Sequence, residues 1–408
     1  MKLREATLGE IVSGDHGLVQ TGPFGSHLHQ SDYTDEGTPV IMPTNIADGR
    51  VVTDAIARVS DQTVDRLSRH KLKPRTIVLP RRGEITKRAF IREEQEGWLC
   101  GSGCLKIEVH GTDVLPEFLY YYMDQHEVVR WLEQHAVGST MLNLSAGIVN
   151  EMPVRYPSRD TQAKIAETLT AYDELMENNR RRMELLEESA RLLYREWFVR
   201  LRFPGHEHAR LTHGIPEGWE RKPLTEYTSF LKRGITPHYD DDAEGLVINQ
   251  KCIRDGRLNL NLARHQSREF SPERQVQVGD VLVNSTGEGT LGRIAPVNSP
   301  VDNCTVDTHV TIVRPKPGIP IYYFGMAVMA WESRFSTMGR GATNQTELSP
   351  SQIGEAPILM PSKTLLDEFE SFAEPIFKQV TNLVSQNQKL RSARDLLLPR
   401  LMSGEIAV

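Results

Sequence analysis

At 408 residues and a formal net charge of −6, the chain is too long for one ordinary core, and its size implies two or three domains. With 39% apolar and 25% charged residues the composition excludes a disordered chain, and no segment approaches the roughly 18 to 20 apolar residues of a membrane span. The acidic balance disfavours a generic nucleic-acid binder, but Arg66 to Arg92 holds ten Lys/Arg against one Glu and predicts a local basic face.

The opening MKLREATLGEI lacks an apolar signal region, so a cytoplasmic protein is expected. Four cysteines, Cys100, Cys104, Cys252 and Cys304, fit that reducing compartment. Cys100 and Cys104 lack a second close Cys or His, which favours buried thiols over zinc.

Along the first half, an acidic stretch at Ser31 to Gly37 precedes NIADGRVV (Asn45 to Val52), whose Asp48-Gly49 is a hairpin-turn dipeptide. A β-rich run, LKPRTIVLPRRGEI, ends in a turn at Gly83-Glu84, and LKIEV (Leu105 to Val109) reads as another strand. A short helix is predicted near Phe118 to Glu133, and the segment closes at Pro157-Ser158. Ser158 is a candidate N-cap for a following helix.

From Ser158 onward, apolar residues fall at Ile165, Leu169, Tyr172, Met176, Met183, Leu186, Ala190, Leu193 and Trp197, with Asn179 as the one polar seam position. Steps of four and three over about five heptads predict a coiled-coil seam. A helix from Ile165 to Leu201 would extend roughly 55 Å at ~1.5 Å per residue.

The second half repeats the first at an offset near 204. CIRDGRLN answers NIADGRVV, VQVGDVLVNSTGEG answers the β-rich run, and a helix is predicted from Tyr322 to Phe335. Leu144, Ser145, Glu151, Pro153, Pro157 and Ser158 match Leu348, Ser349, Glu355, Pro357, Pro361 and Ser362. So long a period indicates a duplicated domain rather than a solenoid. After Ser362 a second seam runs Phe369, Ala373, Ile376, Val380, Leu383, Asn387, Leu390, Arg394, Leu397 and Leu401, interrupted by Pro375, where a kink or break is expected. Neither seam can bury itself alone. Antiparallel pairing sets Asn179 opposite Asn387, Met183 opposite Leu383 and Met176 opposite Leu390; a buried Asn pair would fix the register, the alternative being that both are helix-surface residues near the seam edge.

Signatures of catalysis are missing. There is no G-x-x-x-x-G-K-[ST] phosphate loop and no Asn/Asp-Pro-Pro-Tyr/Phe motif. GEGTLG near Gly287 opens no clear helix, GHEH (Gly205 to His208) reads as linker, and the acidic YDDDAEG (Tyr239 to Gly245) has a counterpart at Ser31 to Gly37, which favours a surface loop over a metal site.

The chain resembles the specificity subunits of type I restriction-modification systems. The resemblance is carried by QTGPFGSHL early in the first half and ENNRRRMELLEESARLLYREWFVRLRFPG in the middle, then by IPEGWE opening the second half and RSARDLLLPRLMSGEI at the end. It implies an α+β chain with two similar α/β target-recognition domains, at 1–157 and 204–361, separated by two long antiparallel coiled-coil helices, at 158–203 and 362–408, in a pseudo-twofold internal repeat. Each domain would read half of a split site in double-stranded DNA, and the helices would set the gap between halves. Two methyltransferase subunits would dock on the helices, and motor-nuclease subunits would join them. S-adenosylmethionine, ATP and magnesium would be used by those partners and none bound by this chain.

DNA reading needs Lys/Arg for phosphates and Arg, Asn, Gln, Ser or Thr for base edges, and turns between strands supply both. Candidates in the first half are Thr21, Gly22, Phe24, Ser26, His27, Asn45, Arg81, Arg82, Lys87 and Arg88. In the second they are Lys232, Arg233, Thr236, His238, Asn249, Gln250, Lys251, Ser285 and Thr286. Arg81-Arg82 stands against Ser285-Thr286, and Pro43-Thr44-Asn45 against Gln250-Lys251-Cys252, so two copies of one scaffold would carry different tips. Two other classes stay open: a self-contained DNA-cleaving enzyme with an unrecognised site, and a scaffold that binds only proteins.

Overall fold

The computed structural model describes residues 2–25, 27–138, 141–339 and 346–408. The chain forms two compact units, one of Met1–Met176 with Gln388–Val408, the other of Glu177–Asn387. Each unit therefore takes a segment of both long helices, Arg159–Tyr194 and Lys363–Ser403.

In the first unit an antiparallel sheet runs in the order Leu18–Thr21, Cys104–Glu108, Ile77–Pro80, Ala89–Phe90. Ile77 and Leu79 alternate with Val78, so one face joins the main core while the other packs on Leu72, Ile91 and Cys100. That main core also takes Ile165 and Leu169 from the central helix and Leu398, Leu401 and Met402 from the C-terminal helix. Asp173 pairs with Arg394 between them. Rising numbers on one helix meet falling numbers on the other, so within this unit the two segments are antiparallel.

The second unit repeats the plan. Its sheet runs Thr228–Arg233, Val310–Pro315, Val281–Asn284, Ile294–Pro296, the same connection order. Glu220–Pro223 pairs with Pro357–Met360 as Arg4–Thr7 pairs with Pro153–Tyr156. Helix pairing here is antiparallel too: Asn179 donates to Asn387 at 2.9 Å, and Met183 packs with Val380 and Leu383. Leu186 lies beside them, while Met176 and Leu390 are half-buried in the first unit.

The repeated Asp-Gly dipeptides close two-residue hairpins. Asp48 and Gly49 have φ of 51° and 75°, Asp255 and Gly256 of 53° and 71°, the double positive φ of a turn that matches strand twist. Each hairpin braces a long helix. Asp48 reaches Arg391 at 3.3 Å, and Arg257 grips Glu187 with two nitrogens, the shorter contact 2.6 Å.

Three expectations change. The C-terminal helix runs unbroken through Pro375. Proline costs about 3 kcal/mol in a helix interior, but Phe369 and Phe377, buried on either side, contribute about 1.5–3 kcal/mol each. The central α-helix stops at Tyr194 rather than Leu201 and widens into a π turn at Arg195–Val199. That turn carries Trp197 and Phe198 into an aromatic cluster with Phe369, Tyr323 and Trp219. Finally, each short helix expected after the sheet is two, Pro116–Tyr122 with His126–His135 and Ile321–Met329 with Glu332–Phe335. The intervening turn at Asp124 lets its carboxylate meet Arg88 at 2.8 Å.

Candidate nucleic-acid interface

In both units, one end of the main sheet collects the same loops on the same backbone bonds. In the first, Gly22 N donates to Cys104 O at 2.9 Å, Arg81 N to Gly103 O at 2.8 Å, Leu144 N to Arg81 O at 2.8 Å and Gly101 N to Ile41 O at 2.9 Å. In the second, Gly234 N donates to Val310 O at 3.1 Å, Ser285 N to His309 O at 2.8 Å, Leu348 N to Ser285 O at 2.8 Å and Asp307 N to Ile248 O at 2.9 Å. Arg81 and Ser285 are thus equivalent in space as in sequence, and so are Gly103 and His309. Gly22 and Gly234 are required where the strands close: a Cβ would lie 1.9 Å from Gly101 O in one and 1.7 Å from Val306 O in the other.

The structure sorts the sequence-derived candidates. In the first unit Thr21 ends its strand half-buried, Gly22 is buried, and Phe24, His27 and Arg82 are exposed. Arg81 is half-buried, bonded to Asn143 at 3.4 Å and lying over Phe24. Lys87 is exposed but pairs with Glu84. Ser26 lies outside the described residues.

Two candidates here are framework instead of contact residues. Asn45 is buried and spends its amide on Met42 N and Val52 O, at 3.0 and 3.1 Å, holding the hairpin. Arg88 is buried, donates to Tyr120 O at 2.8 Å and pairs with Asp124.

In the second unit Thr236, His238 and Lys251 are exposed, while Asn249 and Gln250 are half-buried. Asn249 donates to Leu262 O at 3.0 Å and caps Lys251 N at 2.9 Å. Lys232 is exposed 3.8 Å from Glu273. Arg233 pairs with Glu347 and donates to Leu348 O at 3.1 Å. Ser285 is fully buried, its hydroxyl 2.6 Å from that of Thr311, so it cannot touch a base. Its neighbour Thr286 bonds His309 Nδ1 at 2.6 Å on the exposed side.

His309 was missed, although a polar residue in the Asp307–His309 turn between two strands meets the criterion that selected the others. Asp307 beside it is buried, which pushes its carboxyl up, against the backbone N–H and nearby charge of His309. Asn143, the partner of Arg81, was missed too.

The basic run does not make one open face. Arg66 is paired with Asp32, Lys71 with Asp65, Lys73 with Glu108 and Arg75 with Glu117. Lys87 and Arg88 are also paired, and Arg81 and Arg82 follow the strand Ile77–Pro80 at the sheet end. Cys100, Cys104, Cys252 and Cys304 are buried free thiols. Among the described residues no group of three His, Cys, Asp or Glu is placed to hold a metal ion. No helix among them is long and apolar enough to cross a membrane.

A sequence model of the type I restriction modification DNA specificity domain matches residues 25–188. The type I restriction enzyme MjaIX specificity subunit of Methanocaldococcus jannaschii is 26% identical over 310 residues, 72% of this chain and 70% of the relative. The type I restriction enzyme HindI specificity subunit of Haemophilus influenzae is 21% identical over 390 residues, 78% of this chain and 83% of the relative. Among solved structures, the S subunit of a type I restriction-modification system from M. genitalium matches with a TM-score of 0.58 at 16% identity. The match covers 98% of this chain and 96% of that one.

Proposed function

We propose that this chain is a specificity subunit of a type I restriction-modification system and that its two units read the two halves of a split DNA site with the loops gathered at one end of each sheet. The observation that carries this reading is the repeated backbone frame bearing different side chains: Arg81 and Gly103 in one copy, Ser285 and His309 in the other. Sheet-borne turns fix position, and the exposed cations and amides on them meet phosphates and base edges. The chain supplies specificity, while methyl transfer and cleavage fall to its partners, which bind S-adenosylmethionine, ATP and magnesium.

The long helices dock two methyltransferase subunits, which motor-nuclease subunits then join, and their length sets the gap between half-sites. Supporting the docking role, Leu185 and Leu192, one heptad apart, are 71% and 41% exposed in the second unit, and Leu175 and Leu396 are exposed in the first. Large apolar side chains on a polar helix face favour a protein partner.

The test is titration of the full chain, alone and with methyltransferase subunits, against duplex DNA at increasing salt. Affinity that falls linearly in the logarithm of salt is expected. No salt-sensitive affinity in either form would favour a protein-only scaffold, and metal-dependent cutting or robust methylation by the purified chain would replace the adaptor with an enzyme.

A further inference from the structure

We infer that Arg81 recognises a guanine in the half-site of the first unit, and that the second unit has no equivalent reader at that position. This rests on the DNA-reading role proposed above and adds the residue and the base.

Arg81 is fixed before any ligand arrives. Its backbone is bonded on both sides, to Gly103 O and from Leu144 N. Its Nε donates to Asn143 Oδ1 at 3.4 Å, and its guanidinium carbon lies 5.8 Å from the centroid of Phe24, which is 57% exposed. Neither support is an anion, and no carboxylate among the described residues pairs with Arg81. With Nε engaged, the two terminal nitrogens remain to present parallel N–H groups, the geometry that fits O6 and N7 of guanine in the major groove. An aromatic support limits the rotamers that a long cation loses on binding while leaving its charge intact.

The duplicate shows the same frame with that function removed. Ser285 takes the backbone position of Arg81, but it is buried with its hydroxyl on Thr311. A cation of this unit's sheet end, Arg233, sits two strands across, at the end of Thr228–Arg233. There it meets Glu347, which precedes Leu348 as Asn143 precedes Leu144. An amide holds a guanidinium without neutralising it, whereas a carboxylate cancels its charge and takes its donors. Arg66, Arg75 and Arg88 in the first unit are spent in the same way on Asp32, Glu117 and Asp124.

The experiment incubates the full chain, assembled with methyltransferase subunits, with a DNA duplex library randomised over the whole site. Recovered sequences are compared for wild type, Arg81→Ala and Arg81→Lys. Wild type is expected to recover a two-part motif. Both variants then lose the preference for guanine at one base pair of one part, by about 5- to 150-fold, the worth of a bidentate contact. The other part stays unchanged, which also shows that the variants are folded. A motif that keeps its guanine in both variants overturns the inference alone. So does an even loss across all sequences, which makes Arg81 a phosphate contact, or loss of both parts in Arg81→Lys, which makes it a scaffold residue. Recovery of no motif by wild type brings down the DNA-reading role itself.

Discussion

The side-chain amide of Asn179 donates to the side-chain oxygen of Asn387 at 2.9 Å across the paired helix segments of the second unit, with Met183, Val380 and Leu383 packed beside them. Asn179 is 2% exposed, so neither amide can be lost without consequence for the other. Asn387→Leu should leave the Asn179 amide against hydrocarbon and lower stability by about 1–3 kcal/mol. Replacing both with Leu removes both polar groups and should recover most of that loss. Urea denaturation of the single and double variants decides this, and additive losses would mean that the two residues do not act as a pair.

Acid should weaken the first unit through His70. Burial is the main cause that pushes its imidazole down to about 4, with the nearby charges of Arg69, Lys106 and His27 acting the same way. Its Nδ1 has no partner among the described residues. A folded value below the unfolded 6.5 means that the unfolded chain takes up the proton first. The contribution is therefore complete above about 6.5 and lost as pH falls toward 4. Thermal melts from pH 7 to 4 should show the melting temperature falling more steeply for wild type than for His70→Leu, and parallel curves would refute the assignment.

The two strand-closing glycines make a matched test of the shared frame. Gly22→Ala and Gly234→Ala each drive a Cβ into a backbone carbonyl that cannot rotate away. Each should cost about 1–3 kcal/mol as an overpacked site. Each should also weaken reading of one DNA half only, seen as loss of protection of that half in a footprint. Wild-type stability for either variant would contradict the frame.

Leu185→Ser with Leu192→Ser should leave melting unchanged within about 0.5 kcal/mol, because surface changes rarely do more. The same pair should weaken capture of methyltransferase subunits at least tenfold by calorimetry. Full-strength capture would move the docking site off this helix face.

Periodic and repeated features were legible in the sequence. The 204-residue offset gave the duplicated sheets, the four-three spacing of Ile165, Leu169, Met183 and Leu186 gave the paired helices, and antiparallel alignment of the two seams set Asn179 against Asn387. Asp48-Gly49 and Asp255-Gly256 were readable because a positive φ at both positions narrows the residues that fit.

Candidate tip residues were less legible, because exposure of a polar residue depends on partners far along the chain. Arg88 is buried by Tyr120 and Asp124, Ser285 by Thr311, and Asn45 turns inward to Val52. Nothing in Arg-Arg at 81 and 82 tells that Asn143, 62 positions away, steadies the first. Pro375 misled for a related reason: local propensity predicted a fault that burial of Phe369 and Phe377 overrides.

The central claim is that each unit reads its own half of the DNA site. Residues 1–157 can be replaced by the corresponding half of the Methanocaldococcus jannaschii specificity subunit, and the methylated motif of cells expressing the assembled chimera mapped by single-molecule sequencing. One half of the motif should change while the other keeps its bases. A change in both halves, or in neither, would contradict the account.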